Sequence, residues 1–245
     1  MKCDCKYLDP VIFEILDDYS IQPRDVIYLL TKDELRNFCK SHGIKSIGNL
    51  VSNVIKNYRD IGDLYLENFD LVGSRNLKSL REKGLTVKEA ELGSLYEKLT
   101  KNIFTKLGFN VDEELRKQIN TNRSQIDILL NLGGKDLIIV ECKTIKGKDY
   151  DKYSSTARQL KSYEKISRDK GYNVSQVLII SNEFSEDFIS ECEYDYELSL
   201  SLITSRGLVK ILEAFKNSNL KEFPVRLLLK GGLLSEDRIE KVLNK

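Results

Sequence analysis

Asp127, Glu141 and Lys143 are residues of the types, and at the spacing, that hydrolytic chemistry at a phosphate requires. They lie in Gln125-Ile-Asp127-Ile-Leu-Leu, a Gly133-Gly134 turn signal, and Ile139-Val-Glu141-Cys-Lys143. Side chains on a strand alternate faces with period two, so Glu141 and Lys143 share one side and Cys142 takes the other. A tight hairpin brings Asp127, on the preceding strand, up to Glu141. Two carboxylates held together repel unless a cation lies between them. A few hard oxygen ligands with room for water and phosphate oxygens suit Mg²⁺, with Mn²⁺ as a substitute. Such a cation acidifies a water and offsets charge on a phosphoryl oxygen. Lys143 is then placed to orient that water or to offset the growing negative charge. The bland alternative is a solvated Glu-x-Lys surface pair, worth ~0–1 kcal/mol. Against it stands the apolar strand Leu137-Ile-Ile-Val that leads into the acid.

Composition removes most other chemistry. The chain has 245 residues and one histidine, His42, on which any Ser-His-Asp triad or multi-histidine metal site would have to be built. Catalysis therefore falls to carboxylates and lysine. Five cysteines (Cys3, Cys5, Cys39, Cys142, Cys192) are an odd set, expected as reduced thiols in a cytoplasmic protein. Lys and Arg number 39 against 38 Asp and Glu, so nucleic-acid binding must come from local patches rather than net charge. No apolar run approaches the ~18 residues of a membrane helix, and the opening MKCDCKYLDP has no apolar core of a signal peptide. No membrane association is expected.

The elements that must position the three residues follow from periodicity. The N-terminal third reads helical, with segments at 11–16 and 23–30. Thr31 and Glu34 form a capping box that opens a helix with Leu35, Phe38 and Cys39 on its apolar face. A second helix spans 50–58. Residues 60–89 are mixed and polar, a linker or small helical subdomain. Leu95, Leu99, Ile103 and Leu107 recur at every fourth position, a helix over 94–107. Strands are expected at 111–119, 125–132, 137–143, 176–181 and 198–203, with helices at 154–168, 208–215 and 235–243. The acidic stretch 183–197 should face away from a polyanion. The fold class is α/β: a mixed β-sheet flanked by helices, residues 89–245, after a small all-α N-terminal domain, residues 1–88.

Ile-Asp127 followed by Val-Glu141-Cys-Lys143 resembles the PD-(D/E)xK nuclease superfamily, the restriction-endonuclease-like fold, and within it the Mrr-type endonucleases. The helix Gly93-Ser-Leu-Tyr96-Glu97-Lys-Leu, ending in Lys106-Leu-Gly108-Phe, is similar to that family's helix before "Gly-Phe". Gln159-Leu160 resembles its helical glutamine. Two departures are visible: Ile126 stands where the family has proline, and Ser124-Gln125 where Mrr-type chains carry a glycine pair. The resemblance implies that Asp127 and Glu141 hold Mg²⁺, that Lys143 serves the attacking water, that Glu97 assists with the metal, and that Gln159 lines the site. For Glu97 a solvated flanking charge is nearly as good a reading, and for Gln159 a solvated flanking side chain is an equal one. The implied activity is Mg²⁺-dependent DNA endonuclease cleavage in a restriction or defence setting. The alternatives are a junction-resolving or repair nuclease of the same fold, and a DNA-binding protein that does not cleave. A homodimer would suit cleavage of both strands of a duplex.

Basic residues follow the motif, and Lys146, Lys148 and Arg158 are candidates for phosphate contacts. Residues 31–55 resemble the helix-loop-helix of SAP-like DNA-binding modules, with Lys32, Arg36 and Lys45 as candidate contacts. A helical protein-contact module fits the same pattern. Cys3, Cys5, Cys39 and His42 supply four zinc-ligand types at an unusual spacing, and Cys39 falls on the apolar side of its helix.

Overall fold

The computed structural model describes residues 27, 29–54, 65–83, 85, 87–122, 124–147 and 149–244. The chain divides into two compact units, Met1–Leu64 and Tyr65–Lys245.

In the first unit the capping box forms as expected. Helix α1, Lys32–Ser41, is opened by Thr31, whose backbone N–H donates to Glu34 Oε2 at 2.8 Å while its hydroxyl oxygen accepts from the Glu34 N–H at 3.3 Å. Leu35 and Cys39 turn inward onto Ile27, Ile44, Leu50 and Val54. The loop after α1 is pinned by Asn53, whose amide donates to the carbonyls of Lys45 and Ile47 at 2.7 and 3.0 Å. Cys39 is fully buried in this core, and the His42 ring stacks on Phe38 with centroids 4.1 Å apart. Cys3 and Cys5 lie outside the described residues.

The second unit is a mixed α/β fold. Its six strands lie in the order β1 (Asn110–Val111), β2 (Ile128–Asn131), β3 (Asp136–Lys143), β4 (Asn173–Ser181), β5 (Leu200–Thr204), β6 (Gly232–Leu233). The pairs β1/β2 and β2/β3 are antiparallel, and the pairs from β3 to β6 are parallel. Parallel neighbours need crossovers, and helices supply them: α6 (Tyr153–Asp169) between β3 and β4, α7 (Glu186–Tyr194) between β4 and β5. One sheet face, with Leu129, Leu137, Ile139, Val177, Ile179 and Leu202, packs on Leu160 and Tyr163 of α6 and Phe188 and Cys192 of α7. By alternation the other face carries Ile128, Leu130, Ile138, Val140, Leu178 and Ile180, all buried. Helix α4 (Leu92–Lys106) contacts β3, and α8 (Ser205–Asn217) contacts β5. Burial on both faces accounts for the unbroken apolar run of β4.

Three segments differ from their sequence reading. Residues 111–119 were expected as a strand, but only Asn110–Val111 pair. Asp112 then caps α5 (Glu113–Ile119), its carboxylate accepting the Leu115 N–H at 2.9 Å. Leu115 and Ile119, four apart, face the core, so the period is helical. The acidic stretch 183–197 contains α7, capped by Ser185, because Phe188 and Cys192 give it an apolar stripe. Finally, α2 (Phe69–Gly73) and α3 (Leu77–Glu82) belong to the sheet unit rather than to the N-terminal one. Phe69 stacks on Tyr96 of α4 with centroids 4.4 Å apart. Gly73 sits where a Cβ would come within 2.8 Å of Ser205 Oγ and 2.9 Å of the Tyr96 ring. Helix α9 (Glu236–Leu243) forms the C-terminal tail expected at 235–243.

Gly73 and Arg75 also hold the chain that leaves β3. The Ile145 N–H donates to the Gly73 carbonyl at 2.9 Å. Arg75, the only non-glycine with positive φ among the described residues (55°), donates to Thr144 Oγ1 at 3.1 Å and to the Glu89 carbonyl at 2.9 Å. Overpacking a filled site costs about 1–3 kcal/mol, which exceeds the up to ~1 kcal/mol of helix propensity that alanine gains over glycine. Gly73→Ala is therefore expected to lower the urea-unfolding free energy by about 1–2 kcal/mol. Gly93→Ala, whose Cβ meets nothing within 4 Å, should leave it unchanged or raise it.

Candidate active site

The hairpin sets the site. Gly133 and Gly134 both have positive φ (92° and 62°), which only glycine adopts without strain, and they close the turn between β2 and β3. The resulting register pairs Ile128 with Val140 and Leu129 with Ile139. One step further, Asp127 faces Glu141, as the spacing predicted. Asp127 Oδ2 accepts the Cys142 N–H at 2.8 Å, which ties it to β3. Its neighbour Ile126 is fixed from two sides. The Ile126 N–H donates to Asn120 Oδ1 at 2.9 Å, and its carbonyl accepts from Arg116 at 3.1 Å. Arg116 is gripped in turn by Glu113, at 2.7 and 2.9 Å.

Glu141 is 2% exposed. Its Oε1 accepts from Lys143 Nζ at 2.5 Å, and its Oε2 is buried with no hydrogen-bond partner among the described residues. Lys143 Nζ also donates to Gln159 Oε1 at 3.1 Å. The Gln159 amide donates to the Tyr163 hydroxyl, which donates to the Gln125 carbonyl. Gln159 and Tyr163 stand four apart on α6, on one helix face. A polar chain thus runs from Glu141 through Lys143, Gln159 and Tyr163 back to the segment that carries Asp127. Arg116, which the sequence reading did not single out, lies in a segment read as a strand.

Burial and the facing Asp127 carboxylate push Glu141 up to about 8, although Lys143 pulls against them. Burial likewise raises Asp127, offset by the Cys142 N–H and by Lys143. Lys143 stays above its ordinary value: burial pulls it down, and the Glu141 carboxylate outweighs that. One ammonium thus serves two carboxylates, Glu141 buried and Asp127 half-buried. Glu97, on α4, is half-buried and raised first by burial and then by Asp127. It reaches the pair through its field; among the described residues no three His, Cys, Asp or Glu side chains converge as metal ligands. Two carboxylates short of positive charge, one with an orphaned buried oxygen, fit a hard divalent cation. Asp127 and Glu141 are the residues that could hold it.

An open cleft of about 490 Å³ adjoins Asp127, lined by Ser124, Gln125, Ser155, Arg158, Gln159 and Ser162 among others. Arg158 is exposed there. Lys146 is exposed beyond β3 and pairs with Glu89 at 3.0 Å. The Lys148 side chain lies outside the described residues. Lys32 and Lys45 are exposed on the first unit, and Arg36 pairs with Asp33 at 2.9 Å.

No family model and no curated protein sequence matches the chain. Among solved structures it is similar to restriction endonuclease FokI, at 16% identity and a TM-score of 0.45, over 66% of this chain and 34% of that one. The match thus spans about a third of that protein's length.

A carboxyl raised in the folded state binds its proton there more tightly than in the unfolded chain. Stability from Glu141 is thus full below its ordinary pKa of 4.5 and is lost as pH rises toward about 8. Without added metal, Glu141→Gln should melt several degrees above the wild type at pH 8.5, at about 2–4 °C per kcal/mol, and alongside it at pH 5. Parallel melting curves at the two pH values check this.

Proposed function

We propose that this chain is a Mg²⁺-dependent DNA endonuclease of the restriction-endonuclease-like fold. The observation that carries the reading is Asp127 set opposite Glu141 by the hairpin register, with Lys143 two residues on from Glu141 and bonded to it. Such a cluster serves stability poorly, since buried like charges repel. It serves phosphodiester hydrolysis well. Asp127 and Glu141 would hold the cation, Mg²⁺ or Mn²⁺ in its place, with Glu97 contributing negative potential from α4. The cation, when bound, supplies an acidified water and neutralises charge on the phosphate.

The chain's own residues do the rest. Lys143 orients the attacking water by hydrogen bonding and offsets the negative charge that develops on the phosphoryl oxygens. Gln159 holds the Lys143 ammonium, and Tyr163 holds Gln159. Arg158, exposed on the cleft beside Asp127, meets a flanking phosphate of the substrate strand, and Lys146 and Lys148 extend that contact. The setting is an Mrr-type restriction or defence activity on duplex DNA. The first unit is a SAP-like module whose Lys32, Arg36 and Lys45 contact backbone phosphate. Two copies would act together to cut both strands, in the cytoplasm.

The test is a cleavage assay with Mg²⁺ or Mn²⁺ on methylated, unmethylated and branched DNA. Lys143→Ala, Asp127→Asn and Glu141→Gln should each lower the rate by about 10² or more. Cutting that survives all three substitutions would overturn the assignment. Tight binding without any metal-dependent cutting would leave a DNA-binding protein, and a preference for branched DNA would point to repair. Arg158→Ala should weaken binding about equally across sequences and reduce the slope of log K against log salt by about 1. Filter binding across a salt series measures that slope.

A further inference from the structure

Lys143 and a divalent cation compete for the same carboxylate. Lys143 Nζ donates to Glu141 Oε1 at 2.5 Å, leaving only Oε2 without a partner. A cation drawing on Glu141 brings a second positive charge against the ammonium, which must then give ground. An ammonium has three donors. Gln159 Oε1 takes one of them at 3.1 Å and can keep it. The donor released by Glu141 needs another acceptor, because an unpaired charged donor in a half-buried site is costly.

The sheet offers one. Lys143 pairs in register with Ser181 on the parallel strand β4. Residues in register on neighbouring strands share a face and stand ~4.8 Å apart. Val177 and Ile179, which precede Ser181 at period two, lie on the α6 face, where Glu141 and Lys143 also project. Ser181 is fully buried, and its Oγ has no hydrogen-bond partner among the described residues. An orphaned buried hydroxyl costs about as much as a lost hydrogen bond and calls for a reason. Two orphaned oxygens, Glu141 Oε2 and Ser181 Oγ, thus belong to residues next to Lys143, one two positions back on its own strand and one in register on β4.

We propose that Ser181 Oγ is the second acceptor of the Lys143 ammonium, taking the N–H that Glu141 releases when a divalent cation binds. The inference rests on the metal-dependent nuclease reading and deepens it. The cation displaces to solvent any proton that Glu141 carries, Lys143 stays an ammonium throughout, the Lys143–Glu141 hydrogen bond breaks, a Lys143–Ser181 bond forms, and the bond to Gln159 persists. Ser181 is a positioning residue that acts through Lys143. It keeps the ammonium close to the carboxylates without leaving it on the oxygens that the cation needs.

The test is Mn²⁺ affinity of the full chain, read by electron paramagnetic resonance of free Mn²⁺, with and without a non-cleavable phosphorothioate duplex. Ser181→Thr and Ser181→Val differ from each other by a hydroxyl at nearly constant shape. Thr should keep wild-type affinity, and Val should lose three- to tenfold. Ser181→Ala, which cannot overpack, should lose as much as Val. In a Lys143→Ala background all three should bind alike, because no ammonium remains to be rehoused. Equal affinity of Thr, Val and Ala with Lys143 present would overturn the proposal. So would a loss of the same size without Lys143, since Ser181 would then act on the cation or on packing. A wild-type chain that binds no Mn²⁺ in either condition overturns the metal-dependent reading itself, and the proposal with it.

Discussion

Asp127, half-buried, and Glu141, fully buried, lie side by side with one ammonium beside them, and the surrounding structure is arranged around that cost. Removing a carboxylate from water is expensive unless it is paired and hydrogen-bonded. Here the compensation is partial. The Cys142 N–H serves Asp127, Lys143 serves one oxygen of Glu141, and the other oxygen has no hydrogen-bond partner among the described residues. The pair therefore favours holding a proton, with Glu141 pushed up to about 8 by burial and by its neighbour. A sheet whose two faces are filled with Ile, Leu and Val can carry such a defect at one end, because its stability is supplied elsewhere.

The supporting contacts fall beside the site residues more than on them. Asn120 and Arg116 hold Ile126, next to Asp127. Gly73 and Arg75 hold Ile145 and Thr144, next to Lys143. The backbone is thereby fixed on both sides of the cluster. Gln159 and Tyr163 are the exception: they reach the lysine directly from α6.

Much of this was legible in the residues. The Glu-x-Lys at the end of an apolar strand, the Gly-Gly turn and the aspartate before the partner strand each follow from period-two alternation and turn chemistry. The helices expected at 94–107 and 154–168 form over nearly those ranges, because their apolar spacing is long and regular. Short elements were harder. Residues 111–119 hold a few apolar positions that suit either period, and the Asp112 cap decides for a helix. In 183–197 the acidic charge masked the two core-facing positions Phe188 and Cys192. Residues 65–88 look polar and broken, yet Phe69 and Gly73 dock on α4 and α8 through contacts that no local pattern announces.

By itself the sequence determined which side chains share a face and which turn joins them: Asp127 opposite Glu141, with Lys143 alongside. Those relations are local, set by the pleat of a strand and the conformational freedom of glycine. The tertiary structure alone decided how deeply the carboxylates are buried, and so how far Glu141 is pushed from its ordinary value. It alone brought Gln159 to Lys143 and set Ser181 beside it in register. These adjacencies depend on the order of parallel strands and on the docking of a crossover helix. They join residues far apart in the chain, where no periodicity of the sequence reaches.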